Sequence, residues 1–170
     1  MQCGRDLLAE DGHFSLRAVA AAAGVSSAAT YRHFADKQAL ESALAALGMR
    51  ELQSFLQAEL DQPSGATPWQ LGARYAIWAR DNRALFKLMF TTDCDPDNLD
   101  RCQAVAEIKS FMIATIERLV PHLSKPAAAA GIWGLVHGLT VLSLGRNLPA
   151  HTDEELALLF ENSWKGVIAQ

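Results

Sequence analysis

The stretch from Leu16 to Lys37, LRAVAAAAGVSSAATYRHFADK, constrains this chain most tightly, because it holds two short helical patterns hinged at a single glycine. Leu16 opens the run Leu-Arg-Ala-Val-Ala-Ala-Ala-Ala, whose alanines are strong helix formers. Gly24 then supplies the left-handed conformation that stops a helix at little steric cost. Val25 is expected to point inward, and Ser26 to cap a second helix. That second helix has little apolar surface to hide. Ser27, Ala28, Thr30, Tyr31, Arg32 and His33 make a polar face rich in hydrogen-bond donors, the composition of a helix that touches something other than a core.

Two short helices joined by a turn of three or four residues containing glycine make a helix-turn-helix, whose second helix can enter the major groove of DNA. The residues that carry the pattern are Ser15, Val19-Ala20, Ala23-Gly24-Val25-Ser26, Tyr31-Arg32-His33-Phe34, Lys37 and Leu40. In order and spacing this run resembles the N-terminal signature of the tetracycline-repressor (TetR) family of bacterial regulators.

Half of the 170 residues are apolar, which implies a globular chain, and the formal charge is −4. Over residues 1–50, Arg5, Arg17, Arg32, Lys37 and Arg50 are cancelled by Asp6, Glu10, Asp11, Asp36 and Glu41, so the front end carries no basic surplus. DNA affinity must therefore come from where the charges sit rather than from their number. Cys3, Cys94 and Cys102 form no C-x-x-C, and an odd, sparse count fits a reducing cytoplasm. The histidines form no tight cluster, so neither a metal nor another cofactor is expected. Glu107, Glu117, His122 and His137 lack the spacing of a nucleophile and base or of paired carboxylates, and no enzyme is expected. No unbroken apolar run reaches the length needed to span a bilayer, so no membrane partner is expected and the protein should be cytoplasmic.

The expected fold is all-α, with an N-terminal three-helix helix-turn-helix domain at 1–45 and a larger C-terminal helical ligand-binding and dimerisation domain at 46–170. Residues 1–11 read as the last turns of a helix; by resemblance the family's first helix is longer and follows a basic arm, so the first helix here is expected to be truncated. Phe14, Val19, Ala20, Val25, Phe34 and Leu40 should form the small core of this part. A long amphipathic helix starts at Asp36 and stops at the breaker segment Asp61–Pro68, belonging to both domains. Trp69 to Phe90 is the most aromatic part of the chain. Its runs Tyr75–Ala79 and Asn82–Phe90 resemble a ligand-domain subtype of the same family, as does Trp133-x-x-x-His137-Gly138. Asp93, Asp95 and Asp97 alternate without the glycine and glutamate of a calcium loop and read as solvated. A helix follows over 99–119.

In the stretch Pro126–Leu148, Gly131, Gly134, Gly138 and Gly145 fall on one side at about 100° per residue. A helix apolar all round should be buried, with another backbone close to its glycines. The last helix opens with a capping box at Thr152-Asp153-Glu154-Glu155 and carries an apolar stripe. By resemblance the last two long helices make a homodimer, through Gly131, Gly134, Gly138, Leu142, Leu156, Leu159, Phe160, Ser163 and Val167.

The resemblance implies a ligand-responsive regulator, by family habit a repressor, that binds a palindromic double-stranded DNA operator as a dimer. Its expected DNA-binding residues are Arg17, Ser26, Ser27, Ala28, Tyr31, Arg32, His33 and Lys37. Tyr31 and Lys37 would hold phosphates, and Arg32 could read guanine bidentately. The expected ligand-binding residues are Trp78, Phe86, Met89, Phe90, Phe111, Met112, Thr115, Trp133 and His137, a set that implies an apolar small-molecule effector. The alternative is a dimeric helical small-molecule-binding module without DNA binding.

Overall fold

The computed structural model describes residues 1–11, 14–91, 98–123 and 126–168, and among them the chain is helical without strands. The helices are α1 (Gln2–Asp11), α2 (Leu16–Ala22), α3 (Ser27–His33), α4 (Lys37–Leu60), α5 (Pro68–Asp81), α6 (Arg83–Thr91), α7 (Leu99–Leu119), α8 (Pro126–Leu144) and α9 (Asp153–Val167). A short 3₁₀ turn, Pro121–Leu123, precedes α8. The expected all-α fold is therefore found. The aspartate loop at 93–97 lies outside the described residues.

Two compact units divide the chain. One comprises 1–51 and 82–107, the other 52–81 and 108–170. Neither coincides with a simple cut at residue 45, because residues 82–107, which hold α6 and the start of α7, return to the first unit.

The first unit packs around the start of α4, where Leu40, Leu44 and Ala45 are almost completely buried, with Leu8, Phe14, Leu16, Val19 and Ala20 also inside. Gly48 admits α6: a Cβ there would lie 2.6 Å from Met89 Sδ and 3.0 Å from Leu85 Cγ. Arg5 on α1 pairs with Glu51 at 2.7 Å and donates to Asn82 Oδ1. Arg50 joins α4 to α7 through Asp100 at 2.6 Å and Glu107 at 3.3 Å. Two expected members of the small core behave otherwise. Phe34 is only half-buried, and Val25 is 49% exposed, so Val25 does not point inward.

The second unit is built on α5, which packs against both α8 and α9. Ala73, Ala76 and Ile77 of α5 meet Leu156 and Phe160 of α9 in one core cluster. A second cluster joins Ile116 and Val120 to Ala129, Ile132 and Trp164. The helices approach closely at Gly72, where an added Cβ would sit 2.6 Å from Cδ1 of the Phe160 ring. The expected capping box is present at the start of α9: Thr152 Oγ1 accepts from Glu155 N, and the Glu155 carboxylate accepts from the amides of Thr152 and His151. Those amide bonds hold the Glu155 carboxyl below its ordinary range.

Two expectations for α8 are corrected. It is not buried by its own chain, since only 22% of its apolar window is covered. At 19 residues with a mean hydropathy of 1.6 it is also long and apolar enough to cross a membrane by length and composition, contrary to the sequence expectation. Its glycines and the polar Thr140, Ser143 and His137 interrupt the apolar run without adding charge, so a search for unbroken apolar residues passes over it.

Candidate nucleic-acid interface and ligand cavity

The turn between α2 and α3 is fixed by local hydrogen bonds. Ser15 Oγ accepts from Ala18 N at 3.1 Å and starts α2. At its end Gly24 N donates to Ala21 O and Val25 N to Ala20 O, the paired bonds of a Schellman motif, with Gly24 at φ +66. Ser26 Oγ then accepts from Ala29 N at 3.2 Å and starts α3. A helix as short as the seven residues of α3 does not persist alone in water, so this capping and its neighbours hold it.

Thr30 is the one buried residue of α3. Ser27, Ala28, Tyr31, Arg32 and His33 are exposed, Tyr31 at 57%. Ser26 is exposed too, but its hydroxyl is committed to the cap. Lys37 opens α4 beside Asp36, which caps that helix by accepting from Ala39 N at 2.8 Å. Lys37 Nζ pairs with Glu41 at 2.9 Å and lies 5.8 Å from the Phe14 ring centroid. Arg17 is exposed in the first turn of α2. The structure thus brings the expected DNA-binding residues onto α3 and the starts of α2 and α4, all within the first unit.

The second unit contains an apolar cavity of about 630 Å³, counted to its atoms and including its open mouth. Phe111, Met112, Thr115 and Trp133, four of the expected ligand-binding residues, line it together. His137 is not among the described lining residues, but its Nδ1 is 2.9 Å from the hydroxyl of Tyr75, which does line the cavity. Trp78 is buried at 5% exposure and is not part of the lining. Phe86, Met89 and Phe90 belong to the first unit, where Met89 packs at Gly48 and Phe86 tilts against Phe90 with ring centroids 5.0 Å apart, so they do not join the cavity residues. Sequence reasoning missed Tyr75, Leu71 and Gly72 of α5 as lining residues. Tyr75 had a signal in its sequence, a hydroxyl at the head of the otherwise apolar run Tyr75–Ala79.

Burial raises the Tyr75 hydroxyl well above its ordinary range, an effect the Trp133 side chain opposes, so this group stays neutral. Burial lowers His137 below its ordinary value. The unfolded chain therefore binds more protons at His137 than the folded chain does. Stability is unaffected by this group above about pH 6.5 and declines as pH falls below it toward the depressed folded value. Thermal unfolding between about pH 7.5 and 5.5 should show a smaller acid loss in His137→Gln than in the parent chain; equal losses would exclude His137 as a source.

The expected dimer residues divide in the same way. Gly131 and Gly134 are exposed, and a Cβ at either, or at Gly138, meets nothing within 4 Å. Among the described residues, no backbone of the same chain therefore approaches them. Leu142 and Val167 are 44% and 63% exposed, while Leu159 and Ser163 are half-buried. Leu156 and Phe160, at 2% and 3%, are used up by their own core, so they are corrected from interface to core residues. The stripe at i, i+4 on α9 faces α5, and the exposed Leu158 stands on another side of the helix.

Comparison with known proteins bears directly on this arrangement. Residues 4–44 match the model of bacterial regulatory proteins of the tetR family, and residues 69–163, more than half of the chain, match the Tetracyclin repressor-like C-terminal domain. No curated protein matches the chain. Among solved structures, a protein of unknown function from Rhodococcus sp. RHA1 is similar at 26% identity and TM-score 0.75, over 96% of this chain and 90% of that one. The TetR family transcriptional regulator PfmR from Thermus thermophilus shares the fold at 19% identity and TM-score 0.60, over 92% of each chain. The chain belongs to the TetR family of bacterial transcriptional regulators, with a DNA-binding helix-turn-helix domain and a helical C-terminal domain.

Proposed function

We propose that the protein is a cytoplasmic, ligand-responsive regulator, most simply a repressor, that binds a palindromic operator as a homodimer. The observation that carries this reading is the composition of α3. A helix locked by caps at both flanks buries only Thr30 and leaves Tyr31, Arg32 and His33 exposed. Its side chains supply donors and a guanidinium to base edges and phosphates, the two classes of contact that specify and position a protein on DNA.

Two-fold symmetry is supported by what α8 leaves uncovered. Its open glycines, with Val141 and Leu142 exposed at 46% and 44%, make a charge-free surface that a second copy of the chain would cover. Two recognition helices about 34–36 Å apart would then enter successive major grooves. The cavity between α5, α7 and α8 takes the effector. α4 and α7 run unbroken through residues of both units, so an effector that favours one arrangement of these helices would shift the population of DNA-competent dimers. The test is binding to the DNA that flanks the protein's own gene. Retardation of that DNA over an unrelated fragment is expected, with release when a cavity ligand is added; no preference for the flanking DNA would overturn the reading.

A further inference from the structure

We propose that Arg5 and Arg50 form a clamp that carries the state of the cavity to the recognition helix, by tying to α4 the two stretches of chain that go on to line that cavity. This concerns the regulation of the effector site and rests on the reading of the cavity as that site.

The chain passes between its two units at three places: after Glu51, before Asn82 and after Glu107. All three of these residues are bound by a guanidinium of the first unit. One terminal nitrogen of Arg5, on α1, donates to both carboxylate oxygens of Glu51 at 2.7 Å, and the other donates to Asn82 Oδ1. Arg50 stands next to Glu51 on α4. It holds Glu107 at 3.3 Å and Asp100 at 2.6 Å, two carboxylates about two turns apart on α7. Gln103 donates to the other oxygen of Glu107 at 2.7 Å and orients it.

Beyond each crossing the chain enters the cavity wall. Asn82 directly follows α5, whose Leu71, Gly72 and Tyr75 line it. Glu107 directly precedes Ile108, the first lining residue of α7, and Glu51 lies five residues before Leu56, the lining residue of α4. Toward the DNA-facing side, α1 packs on α6 and on α2, and α2 packs on α3. A Cβ at Gly4 of α1 would lie 3.5 Å from Leu44 of α4, so these two helices also touch beside the clamp. A guanidinium presents its donors in one rigid plane and can hold two partners at a set separation, which an ammonium does not. The Arg5 and Arg50 side chains are 28% and 39% exposed, and ion pairs so close to water add little to stability. Their consequence is geometric. A ligand that displaces the end of α5 or the start of the α7 wall pulls on Asn82 or Glu107, and the clamp passes the displacement to α1 and α4.

The test is the coupling factor, the ratio of affinities for the gene-flanking DNA without and with saturating N-phenyl-1-naphthylamine, a neutral apolar fluorophore whose own binding is read from its emission. The full parent chain should show a ratio of about 5–150. Asn82→Ala with Glu107→Ala cuts the ties at two crossings and spares the Arg5–Glu51 and Arg50–Asp100 pairs. In this variant the ratio should fall below about 2, while fluorophore affinity, melting temperature and DNA affinity without fluorophore match the parent. Should the double variant fail to fold, Arg5→Lys, which keeps a charge beside Glu51 without the fork that also reaches Asn82, should lower the ratio in the same way. A ratio equal to the parent's would overturn the clamp and leave coupling to the unbroken backbone of α4. A ratio lost only together with melting temperature or basal DNA affinity would overturn it too, as a structural tie. In the parent chain, no fluorophore binding, or binding that leaves DNA affinity unchanged, would overturn the effector-site reading and the clamp with it.

Discussion

Replacing Tyr31 and Lys37 together by alanine is expected to reduce operator binding by at least about a thousandfold while the chain stays folded. Both side chains stand at the surface, Tyr31 at 57% and the Lys37 side chain at 50% exposure. Neither fills the core, so their loss should change stability by no more than about 0.5 kcal/mol. Four contacts would disappear from a symmetric dimer, and at about 1–3 kcal/mol each they sum to about 4–12 kcal/mol, the lower end of which corresponds to about a thousandfold. The ion pair between Lys37 and Glu41 competes with phosphate only weakly, because an exposed pair of this kind is worth under about 1 kcal/mol. Gel retardation with a matched unfolding curve measures both halves of the expectation; undiminished binding by the double variant would remove these residues from the interface.

The largest effect on stability is expected at Gly72. Alanine at this position gains about 0.5–1 kcal/mol of helix propensity. Against that gain, its Cβ would stand 2.6 Å from Cδ1 and 3.1 Å from Cε1 of Phe160. The ring is 3% exposed and packed among Ala73, Ala76 and Leu156, so it has nowhere to turn. Overpacking of this kind costs about 1–3 kcal/mol, so the steric term wins and Gly72→Ala should lower the melting temperature by several degrees. Gly166→Ala on the same α9 is the control. A Cβ there meets nothing within 4 Å, and its stability should hold or rise slightly. A gain in stability for Gly72→Ala would mean that α5 and α9 are farther apart than described.

What could be read in the sequence was mostly local chemistry. Gly24 and Ser26 act within a few residues of themselves, so the left-handed turn and the cap of α3 were legible before any tertiary contact was known. Val25 was misjudged because an apolar residue after a Schellman glycine commonly packs back on its helix, and here that side remains open to solvent. The aromatic density of 69–90 looked like one pocket. Residues up to 81 stay with the second unit and those from 82 return to the first, so Trp78 and Phe86 serve different cores. Nothing in a period of 3.6 residues records that division. The glycine stripe of α8 predicts a close backbone, and among the described residues none comes within 4 Å of a Cβ placed at Gly131, Gly134 or Gly138. Tyr75 and Trp133 lie far apart in sequence, and only folding brings them to one cavity wall.

The recognition helix must work without a basic surplus, since positive and negative residues cancel over 1–50. The most direct test is therefore retardation of the DNA flanking the protein's own gene, followed against salt concentration beside an unrelated fragment. Arg17, Arg32 and Lys37 from each of two protomers predict a slope of about −5 in log K against log salt, together with a clear preference for the flanking DNA. Binding that ignores sequence, or no binding at low salt, would contradict the assignment of α3 as a DNA-reading helix.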